Sequence, residues 1–426
     1  MAGPGAGHED VTDAAPHTPR DVARPGVRPG TVGAVRVAIV TESFLPAVNG
    51  VTTSVCRTVE ELHRRGDEVV VIAPRTRADG PASFDGARVH RVTSVPVRQF
   101  DVGLPTPELE RVLGDFAPDV VHVASPFVLG ARGLSAARRL DLPTVAVFQT
   151  DMAAYVRQHT PGPAGAAAAA ATWRWLRRLH SWADLTLAPS SSALADLRDQ
   201  GVPGIASWGR GVDASLFNPS WRLDALTRAL RHELAPGGEL LLGFVGRLAP
   251  EKEVERLAEL ADLPGTRIVV VGDGPSRAPV GAALAEAVAS SATRPNRPPA
   301  FLGPRHGDDL ARAYACLDVF VHTGTAETFG QTLQEAGATG LPVVAPRRGG
   351  PVDLVTDGDN GYLFDPDRAG DLRAQVCRVL ASPGHRAALG RRGRLRVRER
   401  SWSRVVEDLV AHYGRVIRDR GADRAA

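Results

Sequence analysis

Short, mostly apolar segments recur along this chain, and most are followed by a loop containing glycine or proline and then by a helical pattern. The first case runs from an apolar segment at 35–40 through a loop at 41–50 to a helical pattern over 51–65 that stops at Gly66, and on to an apolar segment at 69–72. Short apolar runs without polar alternation predict strands buried on both faces, and an intervening helix predicts parallel pairing. The pattern therefore indicates an α/β fold, a parallel sheet covered by helices.

The second half of the chain repeats the pattern of the first half. Further predicted strands lie at 120–123, 144–148, 185–188, 240–245, 267–271, 300–302, 319–321 and 342–345. At 426 residues the chain is long enough for two domains, since a domain typically has about 100–200 residues. We predict two Rossmann-like, doubly wound domains that face a cleft, with boundaries at 34–207 and 208–400. Ligands bind such sheets at the carboxyl ends of the strands, so the loops there would line the cleft.

The two ends of the chain carry different patterns. Residues 1–33 are rich in glycine, proline and alanine and have no apolar period, which predicts a disordered tail. They lack the apolar core of a signal peptide, and no apolar stretch elsewhere is long enough to span a bilayer. Residues 401–418 have the pattern of an amphipathic helix.

Charge and cysteine content argue against several classes of function. The chain has 51 basic and 48 acidic residues and a formal net charge of +3, which is too balanced to predict nucleic-acid binding. Cys56, Cys316 and Cys377 have no metal-ligand spacing, so we expect buried thiols in a reducing, cytoplasmic compartment. The acidic triplet at 357–359 lies in a glycine-containing segment and is interpreted as a turn, so no metal site is predicted.

Lys252 is the only lysine of the chain. It ends the segment 246–252, which follows a predicted strand directly and begins with Gly246, where the backbone can turn. Arg247 and Lys252 would place two cations at the cleft. A diphosphate leaving group needs such cations, because negative charge builds on it as the sugar departs. The alternatives are two solvated surface charges and the chance survival of one lysine in an arginine-rich chain.

Two further loops follow predicted strands. Gly272-Asp273-Gly274-Pro275 would let a nucleotide approach the backbone closely, although the full G-x-G-x-x-G pattern is absent and a plain turn is the alternative. The segment 346–351 is predicted to form a wall or lid of the same cleft, with an ordinary surface loop as the alternative.

Glu327 and Glu335 are eight positions apart, a little over two helical turns, so their carboxylates could share one face. We expect Glu327 in the loop before a helix and Glu335 within the helix, which the segment 329–332 would open. Backbone N–H groups at a helix start bind anions. One carboxylate could then hold sugar hydroxyls while the other holds ribose hydroxyls. Two unrelated surface glutamates are the alternative.

Together these segments resemble the donor site of the family-four retaining glycosyltransferases, which have the GT-B fold, and the resemblance spans residues 35–418. It implies that the second domain binds the nucleotide sugar, that the first faces the acceptor, and that the helix at 401–418 crosses back to the first domain. Glu327 would contact the donor sugar, and Glu335 the ribose. The resemblance assigns donor binding to Gly246, Arg247, Lys252, Gly272, Asp273, Gly274, Phe329, Gly330, Gln331, Thr332 and Glu335.

The first loop of the chain, 42–51, is similar to the family's first loop, with Asn49-Gly50 in place of adjacent glycines. The resemblance implies that Asn49, Gly50 and Val51 form part of the donor site. Gly50 and Val51 would offer N–H groups to the phosphate from the start of the following helix.

The family often has a catalytic histidine after the strand that ends here at Phe148, but this chain has Gln149-Thr150-Asp151. Gln149 and Asp151 are therefore the candidate polar contacts near the reacting carbon. His122 is a further candidate, with a structural role at a strand end as the alternative.

The segments 41–51, 124–127, 149–151 and 208–213 narrow the resemblance to the actinobacterial GDP-mannose-dependent α-mannosyltransferases, whose acceptors are glycolipids or phosphoinositides. This implies a retaining transfer from GDP-mannose without a cofactor, by front-side attack in which the acceptor hydroxyl gives its proton to the departing phosphate. The catalytic residues would be Arg247, Lys252 and Glu327, together with Gln149 and Asp151. The segments also resemble UDP-dependent sulfoquinovosyl-diacylglycerol synthases, with glucosyl transfer to diacylglycerol a related alternative. A nucleotide-sugar epimerase is the third possibility.

Residues 173–182 mix tryptophan, leucine and arginine. On a helix, Trp175, Leu176, Leu179 and Trp182 would gather on one side. Such a helix could lie on an anionic bilayer, which would associate the protein peripherally with the inner face of the plasma membrane. The alternative is a surface helix whose arginine stems cover apolar neighbours.

Overall fold

The computed structural model describes residues 33–47, 49–76, 80–97, 100–103, 107–160, 162–290 and 297–425. The predicted tail at 1–33, apart from Gly33, lies outside these residues. The strands are β1 (Arg36–Val40), β2 (Glu68–Pro74), β3 (Ser83–Phe84), β4 (Ala87–Val92), β5 (Ser94–Val97), β6 (Phe100–Gly103), β7 (Val120–Val123), β8 (Thr144–Val147), β9 (Leu185–Ala188), β10 (Ile205–Ser207), β11 (Leu240–Val245), β12 (Thr266–Val271), β13 (Ala300–Gly303), β14 (Val319–Val321), β15 (Val343–Pro346) and β16 (Gly361–Phe364).

Helices lie between most of the central strands, as the sequence pattern predicts. They are α1 (Gly50–Arg65), α2 (Glu108–Phe116), α3 (Leu129–Arg139), α4 (Met152–His159), α5 (Pro163–His180), α6 (Ser191–Asp199), α7 (Ala225–Leu234), α8 (Arg277–Ala289), α9 (Gly307–Cys316), α10 (Gln331–Ala338), α11 (Pro351–Leu354), α12 (Asp371–Leu380), α13 (Pro383–Arg398) and α14 (Trp402–Ala425).

Two separate sheets carry the two halves of the chain. The first has eight strands in the order β10-β9-β8-β7-β1-β2-β4-β3, and only β3 runs antiparallel to its neighbour. The second has six parallel strands in the order β13-β12-β11-β14-β15-β16. Both are doubly wound, because the first strand of each half lies inside its sheet with later strands on either side. The predicted fold, two Rossmann-like α/β domains, is confirmed.

The strand order locates the expected ligand crevices. The order reverses between β1 and β7 in the first sheet and between β11 and β14 in the second. Loops that leave such neighbouring strands diverge to opposite faces of the sheet, so a crevice opens outside their carboxyl ends. The loops that follow β11 and β14 contain Lys252 and Glu327, respectively. These two predicted site residues therefore flank the switch point of the second sheet.

The capping residues of α1 explain its limits. The Asn49 side chain accepts hydrogen bonds from the N–H groups of Val51 and Thr52, both at 3.0 Å, and so satisfies donors that have no partner within the helix. At the other end Gly66 has a φ of 85°, a left-handed conformation that glycine adopts without strain. The predicted stop at Gly66 is therefore where the helix ends.

The last helix packs on the first domain. Val406, Leu409 and Tyr413 of α14 share a buried core with Val37 and Ile39 of β1. The helix runs to Ala425, beyond the predicted end at 418. The sequence pattern missed the extension because the residues after 418 are charged or small and include no large apolar side chain to continue the period.

The sequence pattern did not predict the short strands β3 to β6, β10 and β16. The pattern of a buried parallel strand is an uninterrupted apolar run, and β4 (ARVHRV) interrupts its run with charged residues. β10 has three residues, and β16 begins with glycine and pairs only with β15, at the edge of the sheet.

The prediction that the tryptophans and leucines of the segment 173–182 share one side of a helix is wrong. Leu176 and Leu179 of α5 are buried in the first domain, whereas Trp175 is 44% exposed on another side of the helix. A helix on a domain surface must turn its leucines toward the core, so they are not available to a bilayer. Among the described residues, every helix is too short or too polar to cross a membrane.

The contact between α14 and β7 gives a test of the fold. The Tyr413 hydroxyl and His122 Nδ1 are joined by a buried hydrogen bond of 2.7 Å, and burial lowers the pKa of His122 to about 3. Tyr413→Phe would leave a buried imidazole nitrogen without its partner, so we expect it to reduce the free energy of unfolding by about 1–3 kcal/mol, measured by urea denaturation. The control is Tyr362→Phe, whose hydroxyl lies 3.0 Å from His385 Nε2 in a less buried place and should matter less. Equal losses in the two variants would contradict the structural role of His122.

Candidate active site

An ion pair joins the two loops at the switch point of the second sheet. Lys252 ends a 3₁₀ turn at Pro250–Lys252 after β11, and its Nζ lies 2.7 Å from Glu327 Oε2. The other oxygen of Glu327, Oε1, accepts the N–H of Gly330 at 3.1 Å and that of Phe329 at 3.4 Å. The structure thus brings together Lys252, Glu327 and the segment that opens α10.

The surroundings keep Glu327 ionised. Burial would raise the pKa of Glu327, but the Lys252 ammonium and the hydrogen bonds of the loop bring it down to about 2. Behind the pair lies His322, whose Nε2 is 3.8 Å from Glu327 Oε2. Burial lowers the pKa of His322 to about 4, so its ring is neutral near pH 7. Glu327 is therefore built to accept hydrogen bonds and not to donate a proton.

The glycine loop after β12 packs directly on the loop after β11. Gly272 has a φ of 129°, and a Cβ there would lie 2.0 Å from the carbonyl oxygen of Gly246. The Leu248 N–H donates to the Asp273 carbonyl at 2.9 Å, while the Asp273 side chain is exposed. The close approach of the two loops explains why glycine is needed here. Gly246, Gly272 and Gly274 therefore form one side of the site next to Lys252.

The segment 346–351 packs against the Glu327 loop. The Gly350 N–H donates to the Glu327 carbonyl at 2.7 Å, and a Cβ on Gly350 would lie 2.4 Å from Phe329 Cα. The wall predicted from the sequence is thus in direct contact with the site, whereas Arg347 and Arg348 are exposed at its outer edge.

Glu335 lies in α10 and has different surroundings from Glu327. Its Oε2 accepts the Tyr314 hydroxyl at 2.7 Å. Burial raises the pKa of Glu335 to about 7, and the hydrogen bonds from Tyr314 and Gln331 oppose the shift only in part. Without a nearby cation, this carboxyl group titrates close to neutral pH. Thr332, in the same helical turn as Gln331, contributes its carbonyl to the Tyr314 hydroxyl at 3.4 Å.

Arg247 does not join this cluster. Its side chain is 47% exposed and forms an ion pair with Glu251 one helical turn away along the chain. In this structure the two predicted cations therefore lie apart, one a partly buried ammonium and the other a half-exposed guanidinium.

The residues predicted at the ends of the first-domain strands have structural partners. Asp151 caps α4, since its Oδ1 accepts the Ala154 N–H at 2.8 Å. Gln149 is buried, and its Nε2 donates to the Ala124 carbonyl at 2.8 Å. The N–H of Val51 is already bonded to Asn49, so it is not free to receive a phosphate in this structure.

Arg210 is the functional candidate that sequence reasoning missed. Its Nη2 donates to Gln149 Oε1 at 2.6 Å, and its Cζ lies 6.0 Å from the ring centroid of Phe329. A Cβ on Gly50 would lie 3.1 Å from its Nη1. Arg210 thus lies where α1, the end of β8 and the segment before α10 meet. One arginine among many gave no signal in the sequence beyond its place in the segment 208–213.

The two domains also contact each other directly beside the site. The Thr328 hydroxyl donates to the Gln149 carbonyl at 3.0 Å. The Asp353 carboxylate accepts the N–H and the hydroxyl of Ser191, both at 2.6 Å, at the start of α6. The described residues hold no group of three or more histidine, cysteine, aspartate or glutamate side chains placed to bind a metal ion.

Two Rossmann-like domains that meet at the carboxyl ends of their strands form a GT-B fold. The solved sucrose-phosphate synthase of Thermosynechococcus elongatus shares this fold, with a TM-score of 0.73 and 20% identity over 90% of this chain and 100% of that one. Residues 48–216 match Glycosyltransferase Family 4, and residues 227–396 match Glycosyl transferases group 1.

Two relatives align over most of the chain. The GDP-mannose-dependent alpha-mannosyltransferase of Mycolicibacterium smegmatis is 47% identical over 390 residues, which cover 90% of this chain and 98% of the relative. The sulfoquinovosyl transferase SQD2 of Arabidopsis thaliana is 32% identical over 381 residues, which cover 86% of this chain and 71% of the relative. The chain belongs to glycosyltransferase family four.

The ion pair can be tested through stability. Lys252→Met removes the cation but keeps much of the side-chain volume, so burial would then raise the pKa of Glu327. Loss of one partner of a buried pair destabilises by about 3–5 kcal/mol, and we expect less here because the side chains are 24% and 17% exposed. A raised carboxyl pKa means that the stability of Lys252→Met falls as pH rises above the unfolded value of about 4.3.

The double variant Lys252→Met/Glu327→Gln is the control, since a neutral amide needs no cation. Its unfolding free energy, measured by urea denaturation, should depend less on pH than that of Lys252→Met. A loss in Lys252→Met that is the same at pH 5 and pH 8 would contradict the pairing as described.

Proposed function

We propose that this chain transfers an α-mannosyl residue, with retention of configuration, from GDP-mannose to an acceptor of the glycolipid or phosphoinositide type. The observation that carries the donor assignment is the 47% identity to a GDP-mannose-dependent alpha-mannosyltransferase over nearly the full length of both chains. The site geometry supports a sugar-nucleotide donor independently of that likeness.

The diphosphate would bind between the two domains. Lys252 supplies a partly buried ammonium, and Arg247, on its exposed turn, is free to swing toward a phosphate because its ion pair with Glu251 is solvated. Cations stabilise the charge that develops on the leaving phosphate, and this effect is strongest where water is excluded. Gly50 at the start of α1 would approach the same phosphate from the first domain.

The two glutamates suit two different parts of the donor. Glu327, with a pKa of about 2, stays ionised and would accept hydrogen bonds from mannose hydroxyls. Glu335 would accept hydrogen bonds from the ribose hydroxyls, with its pKa of about 7 drawn down by those new donors. Gly246, Gly272, Asp273 and Gly274 would lie along the nucleotide.

The chemistry would be a front-side displacement. The acceptor oxygen forms a bond to C1 of mannose while the bond from C1 to the phosphate oxygen breaks, and the acceptor proton passes to that phosphate oxygen. The protein would contribute positioning and charge stabilisation. Gln149 and Asp151, at the first-domain side, would help to shape the acceptor end of the site.

The acceptor class implies work at a membrane surface. Arg174, Trp175, Arg177 and Arg178 are all exposed on α5, and together they form a cationic patch with one large aromatic side chain at its edge. We propose that this patch on α5 rests on anionic headgroups, because tryptophan favours the interface and arginine favours anionic lipid.

The donor base is tested by titrating the protein with GDP, UDP and ADP in a calorimeter. We expect GDP to bind most tightly. GDP should also protect Lys252, the only lysine of the chain, from an amine-reactive acylating reagent, with acylation of the α-amino group as the internal reference. Tighter binding of UDP would replace the donor assignment, and binding of none of the three would refute the donor site.

The membrane patch is tested by sedimentation with vesicles of phosphatidylglycerol and phosphatidylcholine. We expect Arg174→Gln to weaken binding about fivefold, since one arginine near an anionic surface contributes about 1 kcal/mol, and Trp175→Ala to weaken it further. Leu226→Ala, at a 63% exposed residue of the second domain, is the control and should bind like the unchanged protein. Equal binding of all variants, or no binding at all, would contradict the proposal.

A further inference from the structure

Arg210 lies on the segment that passes from the first domain to the second, and its position is fixed from both sides. The Gln334 amide donates to the Arg210 carbonyl at 2.9 Å, and the Gln331 amide donates to the Gly211 carbonyl at 3.0 Å. Two residues earlier, the buried Trp208 indole donates to the Val405 carbonyl at 2.9 Å. The backbone that carries Arg210 is therefore held before any ligand arrives.

The guanidinium group of Arg210 has a neutral partner and no carboxylate. Its hydrogen bond goes to the amide oxygen of Gln149, and within the described part of the chain it forms no ion pair. Burial lowers the pKa of Arg210, while the more distant Glu327 opposes that shift. An arginine stays protonated in proteins, so this partly buried charge has no counter-ion within the described part of the chain. Such a charge destabilises the fold unless an anion pairs with it.

The surroundings of Arg210 indicate which anion would pair with it. One side of the guanidinium faces Gly50, where α1 begins, and its other neighbours are Gln149 and the ring of Phe329. The Val51 N–H at this helix start is already bonded to Asn49, so the guanidinium adds positive charge where the backbone offers less. Arg247, in contrast, is paired with Glu251 in solvent.

We propose that Arg210 is a further catalytic residue, one that contacts the donor diphosphate and stabilises the negative charge that the leaving phosphate gains. This rests on the proposed function. As the bond from C1 of the sugar to the phosphate oxygen breaks, the electron pair stays on that oxygen, which takes the proton of the acceptor hydroxyl. Arg210 keeps its own protons and donates hydrogen bonds throughout. Gln149 is then a positioning residue, because its amide, fixed on the Ala124 carbonyl, orients the guanidinium.

The experiment compares a nucleoside with its diphosphate. Guanosine and GDP affinities are measured by calorimetry, and kcat and KM by release of GDP from GDP-mannose, for the unchanged protein, Arg210→Gln and Arg210→Lys. Arg210→Gln should weaken GDP binding roughly ten- to a hundredfold, the range for a hydrogen bond to a charged group, with guanosine binding unchanged. Its kcat should fall roughly a hundredfold or more, as when one charge-stabilising donor is removed. Arg210→Lys should recover part of the GDP affinity.

Arg57→Gln is the matched control. Arg57 Nη2 lies 3.2 Å from Asp213 Oδ2, so it also ties α1 to the same crossing segment, but its partners are carboxylates outside the site. It should leave GDP affinity and kcat unchanged. The proposal would be wrong if Arg210→Gln weakened the binding of guanosine and of GDP equally, or if it raised KM without lowering kcat. Arg210 would then have a structural role only.

The test is separable from the donor assignment. If the unchanged protein bound UDP more tightly than GDP, the comparison would use uridine and UDP, and a selective loss of the diphosphate in Arg210→Gln would still support the role of Arg210. If Arg210→Gln failed to fold, judged by its thermal unfolding, Arg210→Lys would carry the test. Equal losses of nucleoside affinity and diphosphate affinity in Arg210→Lys would overturn the proposal.

Discussion

The second-domain site depends on the interactions that keep the carboxylate of Glu327 ionised. A buried carboxylate must be paired and hydrogen-bonded to stay ionised, and the groups that meet this need come from different loops. Lys252 comes from the loop after β11, and the Gly330 N–H comes from the start of α10. The carbonyl of the same residue holds Gly350, from the loop after β15. The side chain and the carbonyl of this one residue thereby join the loop after β14 to the loops after β11 and β15.

A few buried side chains and hydrogen bonds also fix the junction between the domains. Trp208 and Trp402 are buried in the first-domain core, whereas Val397 is buried in the core of the second domain. The Arg210 carbonyl is bonded to α10, which carries Glu335. The crossing segment is therefore held by both domains, since the Arg210 carbonyl is bonded to α10 while its side chain is bonded to Gln149 of the first domain.

The periodic features of this structure could be predicted from the sequence. Short, mostly apolar runs predicted the central strands, and the pattern around Glu327 and Glu335 predicted a loop residue and a helical residue. What escaped prediction depends on contacts between segments far apart in the chain. The partner of Lys252 is 75 residues away, and that of Arg210 is 61 residues away. Asp151 and Asn49 could have been recognised as helix caps from their local sequence, because each stands directly before a helix.

The pairing of Lys252 with Glu327 has a consequence for how a donor would be selected. Under the proposed function both groups are needed by the ligand, the ammonium by the phosphate and the carboxylate by the sugar. If Lys252 moves to a phosphate, Glu327 loses its cation while it remains buried, and the hydroxyl groups of the sugar must replace that interaction. A nucleotide without a sugar would satisfy the ammonium but leave the carboxylate with only the Phe329 and Gly330 N–H groups. Under that function the ion pair would couple the two halves of the donor, and the site would favour a complete sugar nucleotide over the bare diphosphate that leaves after transfer.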